Sequence, residues 1–269
     1  MDKRPIGVFD SGLGGLTCVK EIMRIMPDED VIYFGDTGRV PYGTRSRETI
    51  IKYVEQDIRF LESFDIKAII IACGTASSAA LPWIADGKAT KIMGVVEPAA
   101  RAAVKATVNK KIGVLGTGAT VRYGKYVENI KALCPDAEIF QKACPLFVPL
   151  VENGYTDGEV VRLIAEEYLA EMKSAQVDTL ILGCTHYPLL KKVIGEIMGD
   201  GVTLIDSGAT AAEFAYSYLN SADLLKGGAD KGESRYFVSD SAEDFAKLGS
   251  VFLEKQIDVD VEKIDIERY

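Results

Sequence analysis

Short apolar runs alternate along the chain with longer stretches that are apolar on one face only. Ile6–Phe9, Val31–Phe34, Ala68–Ala72, Ile92–Val96, Ile112–Leu115, Ala137–Gln141, Thr179–Leu182 and Val202–Ile205 are strand-length, β-branched and mostly without polar alternation. That is the pattern of parallel strands covered on both faces. Between them, Leu16–Met26, Ser46–Ser63, Ala99–Val108, Val121–Leu133, Asp157–Lys173 and Tyr187–Met198 place apolar residues at i, i+3 and i+4, the helical period. Strand–helix alternation predicts right-handed βαβ units and an open parallel sheet. The C-terminal part adds a helix near Ala209–Leu219, a strand near Arg235–Val238 and a helix near Ala242–Leu253, and Lys226–Gly232 reads as an exposed loop.

A weak repeat runs through this alternation. IGVFDSGLGG at Ile6–Gly15 resembles IGVLGTGATV at Ile112–Val121, an offset of 112 − 6 = 106 residues. IIIACGTAS at Ile69–Ser77 resembles LILGCTHYP at Leu180–Pro188, an offset of 180 − 69 = 111 residues. Any two Val/Ile-rich strands share some similarity, but two agreeing offsets favour duplication. Two α/β halves would then each end a strand in a cysteine at equivalent places.

Composition narrows the function. The 269 residues suit one large α/β domain or two smaller ones. An apolar share of 48% argues against disorder. With 31 basic and 40 acidic residues the net charge is 31 − 40 = −9, without a basic block, which argues against a nucleic-acid partner. Five cysteines are too few for a disulfide scaffold, and a single histidine excludes His-rich zinc sites. The start MDKRPIGVFDSG lacks the apolar core of a signal peptide, and no run is long enough to span a bilayer. The expectation is a soluble cytoplasmic protein with reduced thiols.

Ligands of open α/β sheets bind beyond the carboxyl ends of strands, and the unusual residues gather there. Asp10-Ser11-Gly12-Leu13-Gly14-Gly15 follows the first run but is no dinucleotide fingerprint, because Thr17 stands at the third glycine position; Gly116-Thr117-Gly118 fails likewise at Val121. Both loops could be tight turns, or could offer N–H groups and hydroxyls to an anion. Cysteine is most often a small buried hydrophobe, the reading for Cys18 and Cys134, and Cys144 has no partner at metal spacing. Cys73 and Cys184 differ: each sits where a strand opens into a helix, and a helix start lowers a thiol pKa from about 8.5. His186 lies two residues beyond Cys184. Two thiols facing one cleft from opposite sides suit racemisation, which removes a proton from one face of a carbon and delivers one to the other.

The motifs FDSGLGG (Phe9–Gly15), YFGDTGRVPYG (Tyr33–Gly43), IIIACGTAS (Ile69–Ser77), GVVEPA (Gly94–Ala99), VLGTGAT (Val114–Thr120), LVENG (Leu150–Gly154) and GCTHYPLL (Gly183–Leu190) carry a resemblance to the cofactor-independent aspartate/glutamate racemase family, and within it to the glutamate racemases. The resemblance implies reversible conversion of L-glutamate to D-glutamate, a peptidoglycan precursor, without pyridoxal phosphate or metal. It implies Cys73 as the base acting on D-glutamate, assisted by Asp10, and Cys184 as the base acting on L-glutamate, assisted by His186, with Glu152 nearby. It implies Asp10, Ser11, Tyr42, Gly43, Gly74, Thr75, Thr117, Thr120, Thr185 and His186 as substrate binders. Taken alone, Tyr42-Gly43 reads as a turn started by Pro41 and Glu152 as a surface acid. One position departs: the family usually has Asn after the first cysteine, and here Gly74 stands. A backbone N–H or a water would have to replace that amide.

The expected architecture is α/β: two similar three-layer parallel-sheet domains facing across a cleft. The first comprises residues 1–95 with 208–269 returning to it; the second comprises 96–207. A homodimer is expected from the resemblance. The rivals are an aspartate racemase-like enzyme, a thiol hydrolase using Cys184 and His186, and a non-catalytic anion-binding module. GCTHYP after the second cysteine favours the glutamate branch.

Overall fold

Each strand-length run becomes a strand of one of two parallel sheets. A computed structural model describes residues 1–85, 87–228, 230–257 and 260–269. The first sheet is built from β1 (Ile6–Asp10), β2 (Val31–Gly35), β3 (Ala68–Ile71) and β4 (Lys91–Gly94), the second from β5 (Lys111–Gly116), β6 (Glu138–Ala143), β7 (Thr179–Leu182) and β8 (Thr203–Asp206); β9 (Ser234–Val238) and β10 (Val261–Lys263) then join the first. Helices α1 (Leu16–Ile25), α2 (Arg47–Glu62), α3 (Gly74–Ala79), α4 (Leu81–Ile84) and α5 (Val96–Ala106) lie among the first strands. Helices α6 (Gly118–Tyr123), α7 (Lys125–Leu133), α8 (Phe147–Glu152), α9 (Glu159–Ala175) and α10 (Lys191–Met198) follow, then α11 (Ser207–Ser221) and α12 (Ala242–Leu253).

The strand orders make the internal repeat visible. The first sheet runs β10-β9-β2-β1-β3-β4 and the second β6-β5-β7-β8, every pairing parallel. Removing the two C-terminal strands leaves β2-β1-β3-β4, the order of the second sheet. β1 therefore corresponds to β5 and β3 to β7, the pairs whose sequences resemble each other. Both sheets are covered on two faces, and their side chains alternate between them as the pleat requires. In the first, Val8, Tyr33 and Ile70 pack with Leu16 and Val19 of α1, while Phe9, Phe34, Ile69 and Ile71 pack with Ile50, Val54 and Ile58 of α2. In the second, Val114 and Ile181 face Ala99 and Ile130, whereas Leu115, Leu180 and Leu182 face Leu169, Met172 and Ile194.

The differences from the sequence expectation have local causes. The run Val121–Leu133 is not one helix: Gly124 takes φ +64°, ending α6 in the left-handed conformation before α7 begins. The strand expected at Ile92–Val96 stops at Gly94, because Val96 already opens α5; Pro98 is tolerated there, since first-turn N–H groups have no helical partner. The run from Tyr187 starts as a 3₁₀ turn over Tyr187–Leu190, with Pro188 inside it, before α10. Helices α3, α4 and α8 span four to six residues, too few to display a 3.6-residue period. Cys134 is not a core residue: it is partly exposed at the end of α7, with its thiol directed to Asp136. In the Lys226–Gly232 loop, Lys226 pairs with Asp30, and Ala229 lies outside the described residues.

Candidate active site

The candidate residues converge because both sheets present their strand C-termini to each other. Asp10 ends β1, Ser11 follows it, and Cys73 lies just beyond β3; Thr117 follows β5, and Cys184 lies just beyond β7. The halves touch through these loops. Thr75 Oγ1 lies 2.8 Å from Thr117 Oγ1, which lies 3.1 Å from Thr120 Oγ1. Thr185 Oγ1 donates to Asp10 Oδ1 at 3.3 Å, and Thr17 Oγ1 donates to the Thr185 carbonyl at 3.1 Å. Thr17, not singled out in the sequence as a site residue, thus ties α1 to the loop carrying the second thiol.

Two glycines make the approach possible. A Cβ on Gly74 would lie 2.3 Å from the Gly183 carbonyl oxygen, and one on Gly14 would lie 2.1 Å from Thr185 Oγ1 and 2.6 Å from His186 Nδ1. The departure at position 74 thereby has a physical account: with no side chain there, the backbone after the first thiol meets the backbone before the second. Gly43 meets the other half through Thr117, whose Cβ would be 3.3 Å from an added Cβ.

The two thiols are nearly buried, Cys73 at 5% and Cys184 at 7% exposure, and their neighbours differ. Cys73 caps α3: the Ala76 N–H points at its Sγ at 3.5 Å, and Ser11 Oγ lies at 3.5 Å. Cys184 Sγ lies 4.0 Å from His186 Nδ1, and His186 Nε2 lies 3.0 Å from Glu152 Oε1, a carboxylate–imidazole–thiol line. Glu152 is half-exposed, so the line runs from solvent to the buried thiol. The His186 ring also packs nearly perpendicular to Phe252 of α12, centroids 5.1 Å apart. Asp10 is fully buried; its Oδ2 accepts from the Gly12 N–H at 2.9 Å, and its hydrogen bonds go to Gly12 and Thr185 while Ser11 makes the contact with Cys73.

The electrostatics correct one expectation. A helix start does not lower these thiols. Burial, and then the negative charge of Asp10, push Cys73 up to about 11 against the pull of the Ser11 and Ala76 donors. Burial likewise pushes Cys184 up. Desolvation outweighs the helix start because α3 has six residues and the 3₁₀ turn after Cys184 begins three residues later. Asp10 is itself raised by burial, with His186 opposing. All five cysteines are free thiols. Among the described residues no group of three or more His, Cys, Asp and Glu is placed to hold a metal ion, and no helix is long and apolar enough to cross a membrane.

Tyr42 is placed differently from the hydroxyl-bearing binders. Its side chain is buried in the first half, with its hydroxyl bonded to Asp36 and Asp57, while Gly43 beside it meets Thr117 of the other half.

Comparisons with known proteins bear on the family of the chain. The sequence pattern of the family described as Asp/Glu/Hydantoin racemase matches residues 7–215. A glutamate racemase of Geobacter metallireducens is 47% identical over 253 residues, covering 94% of each chain. Glutamate racemase 2 of Caldanaerobacter subterraneus subsp. tengcongensis is 45% identical over 270 residues, covering both chains completely. Among solved structures, glutamate racemase from Francisella tularensis in complex with D-glutamate superposes with a TM-score of 0.92 at 40% identity, covering 100% of both chains. With the matched pattern running from β1 into α11 and including both strand-end thiols, this chain belongs to the Asp/Glu/hydantoin racemase family.

Proposed function

We propose that this protein interconverts L- and D-glutamate by two-base proton transfer between Cys73 and Cys184. The observation that carries the reading is the pair of buried thiols, each just beyond the equivalent strand of one of two topologically matching sheets, at a junction where the halves meet. The close relatives are glutamate racemases, one of them with D-glutamate bound.

In the L-to-D direction the thiolate of Cys184 takes the Cα proton, leaving a carbanion at Cα. The thiol of Cys73 then protonates the opposite face and becomes the thiolate. The reverse reaction exchanges the roles, so no co-reactant is consumed. A thiolate that is costly to form in a buried site is also a strong base, which narrows the gap to the weakly acidic Cα–H. The substrate ammonium brings a positive charge that favours the thiolate. Hydroxyls and N–H groups at the strand ends would stabilise charge developing on the α-carboxylate. The Glu152–His186 pair would assist Cys184; Asp10 would assist Cys73 through its charge and through the loop that carries Ser11. The protein must hold an anion despite its net charge of −9, so local donors outweigh a global field that salt screens over about 8–10 Å.

We further propose the division into residues 1–95 plus 208–269 and 96–207, supported by the membership of β9 and β10 in the first sheet. A cytoplasmic location fits five free thiols. D-glutamate supply to peptidoglycan and a homodimeric state come from the resemblance; light scattering tests the latter.

The test is incubation with L-glutamate in deuterated water, following Cα–H exchange and optical rotation. Exchange with decay of rotation is expected; no exchange sinks the reading, and faster exchange of aspartate redirects it. Cys73→Ser and Cys184→Ser should each abolish racemisation. Full activity in either variant would eliminate two-base catalysis.

A further inference from the structure

Tyr42 sits in a buried polar network that no part of the proton transfer uses. Its hydroxyl bonds Asp36 Oδ2 and lies 3.1 Å from Asp57 Oδ2; both acids are fully buried. Arg39 spans them, with Nε 2.7 Å from Asp36 Oδ2 and Nη2 2.9 Å from Asp57 Oδ1, and its guanidinium lies 4.2 Å over the Tyr53 ring. Ser239 Oγ, beyond β9, donates to Asp36 Oδ1 at 2.8 Å. Gln56 and Glu267 complete the outer side of Arg39, at 2.6 Å and 3.4 Å.

A phenol has one proton, so two carboxylates beside its oxygen cannot both accept it. If one of them keeps its proton, it donates to the phenol and the conflict disappears. Asp36 already accepts from three donors, Tyr42, Arg39 and Ser239. Asp57 suits that role: burial first, and then the charge of Asp36, raise it well above the usual carboxylate range, with Arg39 opposing. The buried charges of Asp36 and Arg39 then balance. With Asp57 protonated, the chain of donation would run from Asp57 to Tyr42 to Asp36.

We propose that Asp57 is a positioning residue: as a neutral acid donating to Tyr42, it holds the Tyr42–Thr44 turn, and so presses Gly43 against Thr117 at the wall of the cleft. The role rests on the glutamate racemase reading. Thr117 passes the constraint to Thr75, two residues from Cys73. The network touches no reacting atom, so its loss loosens binding and leaves the chemical step nearly intact.

The experiment is steady-state racemisation of the full-length chain, read as a split between KM and kcat. Asp57→Asn reproduces the neutral acid, its amide N–H donating to Tyr42 and its oxygen accepting from Arg39. It should keep both constants within about threefold. Asp57→Leu and Tyr42→Phe should raise KM about tenfold or more with kcat within about threefold. An Asp57→Leu protein with unchanged KM overturns the proposal, as does an Asp57→Asn protein as impaired as Asp57→Leu. If Asp57→Leu does not fold, Tyr42→Phe decides: unchanged KM overturns the proposal. A wild type that exchanges no Cα proton of glutamate removes the racemase reading and the positioning role together; an active wild type with indifferent variants removes the positioning role alone.

Discussion

Cys73 shows how burial and function interact at one residue. Its thiol is raised from an ordinary value near 9 to about 11 in the folded chain. A raised folded value means that the native state holds the proton more tightly than the unfolded state. The associated stability is present below the unfolded pKa and disappears as pH rises through the folded one. Unfolding free energy should therefore fall between about pH 9 and pH 11, by up to about 3 kcal/mol from this thiol. Urea titrations at pH 8 and 10.5 measure the fall, and Cys73→Ser should make it smaller. Buried Cys184 contributes with the same sign. On the other side of the site, Glu152→Gln leaves His186 a neutral partner and should lower kcat by about tenfold. An unchanged kcat would make the pair a surface contact. Because the two enantiomers have equal free energy, kcat/KM must fall equally in both directions. The strand-end places of Cys73 and Cys184, and His186 beside the second, were legible from the sequence spacing. The raised thiols were not, since burial on every side is a property of the folded environment. The acids around Tyr42 were hidden too: Asp36 lies at the strand-end position where chemistry gathers, but Asp57 is an ordinary residue of an amphipathic helix until α2 packs beside the Tyr42 turn.

At the scale of elements, the strands and long helices followed from apolar runs and helical spacing, because burial on one or both faces dictates those patterns. What escaped were short pieces set by single residues. Gly124 breaks one expected helix into two through its positive φ, and among the described residues no atom beyond its chain neighbours stands within 4 Å of a Cβ added there. Backbone strain is then the whole effect: Gly124→Ala should cost about 1 kcal/mol in denaturant unfolding without altering racemisation kinetics. Helix α8 has only six residues, yet it delivers Glu152 to His186. The sequence offered Glu152 as a surface acid or, by resemblance, a site residue, and only the docking of α8 against the turn after Cys184 brings it to His186.

For the whole molecule, the decisive fact is how closely the halves meet. Gly74→Ala would set a methyl carbon 2.3 Å from the Gly183 carbonyl oxygen, so the strand ends must separate. Displacement of about 1 Å in a catalytic geometry can cost about a hundredfold, and kcat/KM should fall by about that much while circular dichroism stays native. A variant with wild-type kcat/KM would mean that the junction is compliant. By itself the sequence determined the α/β class, the two related halves and the pair of strand-end thiols, because hydrophobic period and internal repetition are written along the chain. Only the tertiary structure decided that β9 and β10 extend the first sheet, that the thiols are desolvated, that Gly74 admits a carbonyl and that Tyr42 turns its hydroxyl inward. Each of these depends on groups far apart in sequence meeting in space, where packing and dielectric, rather than local pattern, set the energies.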